Sequence, residues 1–202
     1  MGIFVGSIFL LLACFAAAIG STQSGYGLWD WPALLRIPHL FLPNLLVAPL
    51  GEEPGWRGFA LPRLQKRLHP LAAAVVLGFL WANWHLPLFL VSFYTTPYWL
   101  YVPFLMGASV IIGIGFEVSG ESTITAIYLH GLLNVGIGVM LNEFLGKATI
   151  RDRLSTNVAE AAGFLGVAIL LAISTRGRVG VTPSGVPIKD RSDTRLGTVG
   201  LR

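Results

Sequence analysis

Charge is what this sequence has least of. Only 12% of its 202 residues are Asp, Glu, Lys or Arg, about half the share of an ordinary soluble domain. That scarcity excludes a water-soluble globule with a normal surface and a disordered chain kept open by its charges. There is one cysteine, Cys14, so no internal disulfide can form and the redox compartment leaves no trace. Also missing are an HExxH helix, a GxSxG elbow, a P-loop and a GxGxxG turn, which removes the signatures of zinc proteases, α/β-hydrolases and nucleotide binders. No internal repeat is present.

What is abundant is apolar length. Six stretches, at about 2–20, 31–50, 71–91, 98–118, 123–142 and 158–174, contain only three charged residues, Arg36, Glu117 and Glu160. A helix needs about 20 residues to cross a hydrocarbon core, whereas barrel strands need about 10 and alternate in polarity. The expected fold is all-α, a polytopic membrane helix bundle of about six transmembrane helices. It is membrane-embedded over 1–174 and followed by a flexible basic tail at 175–202. With no Lys or Arg ahead of it, the first stretch reads as a retained helix and not as a cleaved leader.

Six Lys and Arg lie in the tail and four in 51–70, against Lys147, Arg151 and Arg153 on the other side. This asymmetry places both termini in the cytoplasm of a multi-pass cell-membrane protein. The net charge of +4 is carried by the tail, so the expected partner is membrane lipid and not nucleic acid. Pro32, Pro38, Pro43, Pro49, Pro54 and Pro62 punctuate the region 31–62, so no uninterrupted helix is expected there. A broken or re-entrant segment is tolerated at membrane depth only where protein or a wet cavity covers its backbone. In that setting Glu53 suits a helix cap, with Pro54 in the first turn.

Ionisable groups near the bilayer interior cost about 3 kcal/mol each by insertion scales, so those present need a reason. Glu53 and Arg57 are four apart and face each other on a helix, while Glu52 points elsewhere. His130 and Asn134 are likewise four apart and share a face. His85 follows Trp81, Asn83 and Trp84 and precedes Pro87, where a kink is expected. Taken singly, each has a plain reading: a surface ion pair, a structural histidine, an interfacial histidine in an aromatic belt, and for Arg36 a side chain that snorkels to the interface. Depth favours a joint reading. At 1.5 Å per residue Glu52 lies about 16 Å, His85 about 21 Å and His130 about 10 to 16 Å from the edge on which Arg63, Lys66 and Arg67 sit. These groups therefore meet at one level, around a polar cavity.

A carboxylate, two imidazoles and a carboxamide can hold a water, deprotonate it and donate hydrogen bonds to a carbonyl oxygen under attack. Glu52, His85 and His130 could equally ligate Zn2+ and leave a position open for water. Both a zinc-bound and a metal-free site fit the set.

Three motifs in order carry a family resemblance: EExxxR at Glu52–Arg57, aromatic-xxx-His at Trp81–His85 and HxxxN at His130–Asn134. Together they resemble the CPBP family, which comprises CAAX prenyl proteases of the Rce type and bacterial Abi proteins linked to bacteriocin processing and immunity. The resemblance covers residues 52–134. It implies an intramembrane endopeptidase in which Glu52 and His85 activate water, His130 and Asn134 stabilise the oxyanion, and Glu53 and Arg57 support the site. The family has been described both as metalloproteases and as metal-free glutamate proteases, so zinc and no cofactor are both implied. The substrate it implies is a peptide or protein, lipidated in the eukaryotic relatives. Trp81 departs from the motif, which usually has Phe there. The rival readings are a non-catalytic immunity or scaffold protein that binds a partner in the same cavity, and a small transporter or proton relay. The missing internal duplication counts against the second rival.

Overall fold

The structure is a computed structural model that describes Pro43, residues 47–135 and residues 150–175. Arg36, the stretch at 2–20, nearly all of 31–50, residues 136–142 and the tail beyond Thr175 lie outside the described residues. Within them the chain is all-helical, with no strand. Helix α1 covers 47–64 and widens into a π turn over Trp56–Ala60 before ending as Leu61–Leu64. Then follow α2 (Pro70–Trp84), α3 (Leu86–Leu90), α4 (Tyr98–Val118), α5 (Thr123–Leu133) and α6 (Ile150–Ser174).

Two expectations about α1 are corrected. Residues 47–64 run as one helix where an interruption is expected, and no cap forms at Glu53 because the helix is already running at residue 47. Pro54 therefore sits inside a helix, where it removes one donor, and the wide turn begins two residues later. Leu61 N–H bonds to the carbonyl of Trp56, five residues back. Pro62 follows at once, where the return from wide to ordinary turns leaves no need for its missing donor. The prolines change the winding of α1 without breaking it.

The expected kink at Pro87 is present as a break. Helix α2 starts with Pro70 in its first turn and runs through three alanines, residues of the highest helix propensity. It stops at His85, whose N–H turns back to the carbonyl of Ala82 at 3.1 Å. His85 then serves as the entry residue of α3. One histidine thus occupies the hinge between two helices.

Helix α4 is the axis of the bundle and is buried along most of its length, while α2 and α6 flank it. Two glycines permit the approach. A Cβ on Gly78 of α2 would lie 2.7 Å from Met106 Cα, and one on Gly107 of α4 would lie 2.7 Å from the main-chain carbon of Phe164 in α6. Small residues at such crossings are how helices associate where lipid supplies no hydrophobic drive. Ser109 Oγ adds a hydrogen bond across the first crossing, donating to the carbonyl of Ala74 at 2.9 Å.

Outward faces are apolar. Phe79, Leu80 and Trp84 of α2 and Ile169, Leu170 and Ile173 of α6 are exposed. Three helices, Pro70–Leu90 taken across the His85 break, Tyr98–Val118 and Arg153–Ser174, are long and apolar enough to cross a membrane. They coincide with three of the six stretches read from the sequence. A tight turn with positive φ at Gly120 and Glu121 leads into α5, whose first turn is capped by Ser122 Oγ accepting from Thr125 N–H at 3.3 Å. That turn sets α5 back against α1 and α4, carrying His130 inward.

Candidate active site

Helix α1 supplies two adjacent glutamates with different surroundings. Glu53 and Arg57, one turn apart, are both fully buried, and Arg57 Nη1 donates to Glu53 Oε1 at 2.7 Å. The same oxygen accepts from His130 Nδ1 of α5 at 2.8 Å. Glu53 therefore holds a guanidinium and an imidazole on a single atom, while its Oε2 makes no hydrogen bond. With Nδ1–H directed to a carboxylate, His130 turns Nε2 away from the pair.

Glu52 is half-buried and reaches the other way, as its neighbouring position on the helix requires. Its Oε2 accepts from the indole Nε1–H of Trp81 at 2.7 Å. Trp81 is 2% exposed and lies between several groups of the site. Its ring meets that of His130 edge-on at 4.8 Å, and the Arg57 guanidinium sits 4.7 Å from its centroid. Its main-chain carbonyl, freed by the end of α2, accepts from His85 Nδ1 at 2.9 Å. Because a carbonyl can only accept, His85 carries its proton on Nδ1 and leaves Nε2 available.

These side chains surround one cavity of about 660 Å3, whose wall includes Glu52, Trp81, His85, His130 and Asn134. All four residues that sequence reasoning placed at the chemistry lie on it, and Glu53 and Arg57 lie directly behind. Helix α6 also lines it, through Arg153, Asn157 and Glu160, which share a face. Glu160 is buried, and its Oε1 has no hydrogen-bond partner. Tyr94 from the 91–97 connection and Tyr101 from α4 close the space over His85, with ring centroids 6.1 and 5.6 Å from the imidazole. Burial pushes the Tyr94 phenol above its ordinary range; a hydrogen bond with Tyr101 opposes this and the charge of Glu52 adds to it. Tyr94 is thus a neutral hydrogen-bonding group at physiological pH.

Sequence reasoning gave no role to Trp81 beyond its ring, nor to Glu160, Tyr94 or Tyr101. For Glu160 the signal was available, since it is a charge inside an apolar span. For Trp81 there was none, because its partner Glu52 lies on another helix.

Glu52, His85 and His130 were also the potential zinc ligands. Among the described residues, no three His, Cys, Asp or Glu side chains gather closely enough to hold a metal ion. One nitrogen of each imidazole and one oxygen of Glu52 are held by protein groups, which orients the remaining nitrogen of each ring and the second oxygen.

Comparison with known proteins gives a consistent result. The sequence model of the type II CAAX prenyl endopeptidase Rce1-like family matches residues 34–136. A CAAX prenyl protease 2 from Methanococcus maripaludis is 33% identical over 111 residues. That match spans 49% of this chain and 39% of the relative, so the chain covers well under half the length of the curated protein it resembles. No solved structure matches significantly.

Proposed function

The chain belongs to the Rce1-like family of type II CAAX prenyl endopeptidases, and from that premise we propose that it hydrolyses a peptide bond near the membrane surface inside the cavity described above. The observation that carries the proposal is the placement of Glu52, His85, His130 and Asn134 on one cavity wall. Glu52, with Oε2 held by Trp81, keeps its second oxygen to bind a water and take its proton. His85 is fixed with Nε2 as acceptor and assists in orienting that water and in passing the proton to the leaving amine. The resulting oxyanion is stabilised by hydrogen bonds from His130 Nε2 and the Asn134 carboxamide. To donate from Nε2 as well as Nδ1, His130 carries both protons in this reading, and it shares the one negative charge of Glu53 with Arg57. Each step uses protein side chains and water alone.

The substrate in this reading is a peptide or protein segment, lipidated or not, that enters from the lipid or from the surface. The excess of Lys and Arg on one side supports a cavity that faces the cytoplasm, in a protein of the cell membrane.

The test is cleavage of a peptide panel, including a prenylated C-terminal CAAX peptide, by the purified chain in detergent. Glu52→Gln and His85→Ala are each expected to lower kcat by about 1,000-fold or more, with the melting temperature unchanged. Wild-type activity should withstand a chelator, with metal content well below one per chain. Cleavage by either variant at the wild-type rate removes this mechanism.

A further inference from the structure

Glu52 has one hydrogen-bond donor among the described side chains, and that donor comes from a different helix. The indole Nε1–H of Trp81 reaches Glu52 Oε2 at 2.7 Å, a distance typical of a charge-assisted bond. Trp81 itself is immobilised: it is 2% exposed, the Arg57 guanidinium lies over its ring, and the His130 ring packs against its face edge-on. Glu52, by contrast, is half-buried on a helix surface that opens to the cavity. A glutamate there has three rotatable bonds, and among the described residues no second hydrogen bond selects one rotamer.

We infer that Trp81 is a positioning residue for the reaction, fixing the carboxylate of Glu52 through its indole N–H so that one oxygen is anchored and the other serves the water. The inference rests on the reading of Glu52 as the water-activating group. It is specific to tryptophan. A phenylalanine, usual at this place in the related motif, keeps an aromatic face for Arg57 and His130 but offers no donor. The bond from His85 Nδ1 ends on the main-chain carbonyl of residue 81, so it survives any side-chain replacement there. Exchange at position 81 therefore separates the anchoring of Glu52 from the tautomer of His85.

Two variants of the full chain in detergent test this. Trp81→Phe removes the donor with some loss of volume. Trp81→benzothienylalanine, in which sulfur replaces the N–H, removes the donor at nearly constant shape. Both are expected to lower kcat by about 10- to 100-fold, the worth of a hydrogen bond to a charged group. KM should stay within about twofold, since substrate contacts are untouched. Wild-type kcat in both variants overturns the inference.

A second readout needs no activity. Among the six indole N–H cross-peaks of the 15N-labelled protein, the one lost in Trp81→Phe belongs to Trp81. It is expected downfield and to move upfield in Glu52→Gln; an unmoved peak also overturns the inference. If the wild type cleaves nothing in the panel, or Glu52→Gln cleaves normally, the proposed function fails instead. The indole shift then still reports whether the anchor exists.

Discussion

At the scale of single residues, the site depends on which oxygen of which glutamate is engaged. Glu53 Oε1 takes both Arg57 and His130, in a place with no solvent. Removing one partner of a buried pair leaves an uncompensated charge, which costs about 3–5 kcal/mol. Arg57→Met is therefore expected to lower the unfolding free energy by about that amount, measured by denaturant titration in mixed micelles, and to leave Glu53 Oε1 to His130. Part of this was legible beforehand: the spacing of four between Glu53 and Arg57 marks a helical pair, and the apolar run around His130 marks it as unusual. That His130 is the third member was not legible, because the contact joins residues 77 positions apart and nothing in local spacing encodes it. The same holds for Trp81 and Glu52, where the sequence shows an aromatic residue and only the packing shows its N–H at work.

At the scale of elements, the chain departs most from sequence expectation in α1 and agrees best in α4. The run 98–118 has the length and composition of a crossing helix, and it is one. In α1 the prolines argue for a break, yet the helix continues, because a missing donor is tolerated where the winding widens at Trp56–Ala60. Proline content registers the lost hydrogen bonds but not the local geometry that absorbs them. Crossing distances are set by glycines whose role is equally hidden until neighbours are known. Gly107→Val pushes a side chain into the main chain of Phe164 and is expected to destabilise the protein by about 1–3 kcal/mol. The check is a thermal melt in detergent, where Gly166→Ala, with open space around its Cβ, should change little.

At the scale of the whole molecule, the packed core and the outward faces are both mainly apolar, and the polar side chains of α1, the α2–α3 hinge and α5 gather at the cavity. Sequence composition conveys this division well: nearly every charge lies outside the apolar runs, and the exceptions are informative. Of the three charges inside them, Glu160 lies on the cavity wall, Glu117 is buried and accepts a hydrogen bond from Gln65, and Arg36 falls outside the described residues. The surrounding solvent can be tested directly. Leu80 is exposed at the middle of the span Pro70–Leu90. In a water-soluble helix Leu80→Asp would change stability by less than about 0.5 kcal/mol. In a bilayer it is expected to cost about 3 kcal/mol of insertion, read as loss of membrane-integrated protein in an insertion assay.

Because Arg57 and His130 converge on the same oxygen of Glu53, reactivity and folding share an atom. Directed evolution that retunes the imidazole for faster turnover will weaken the guanidinium's hold on its helix, so gains in speed will arrive together with losses in heat tolerance. Selections that reward both at once should recover compensating changes around α1 and α5 before any in the lipid-facing helices.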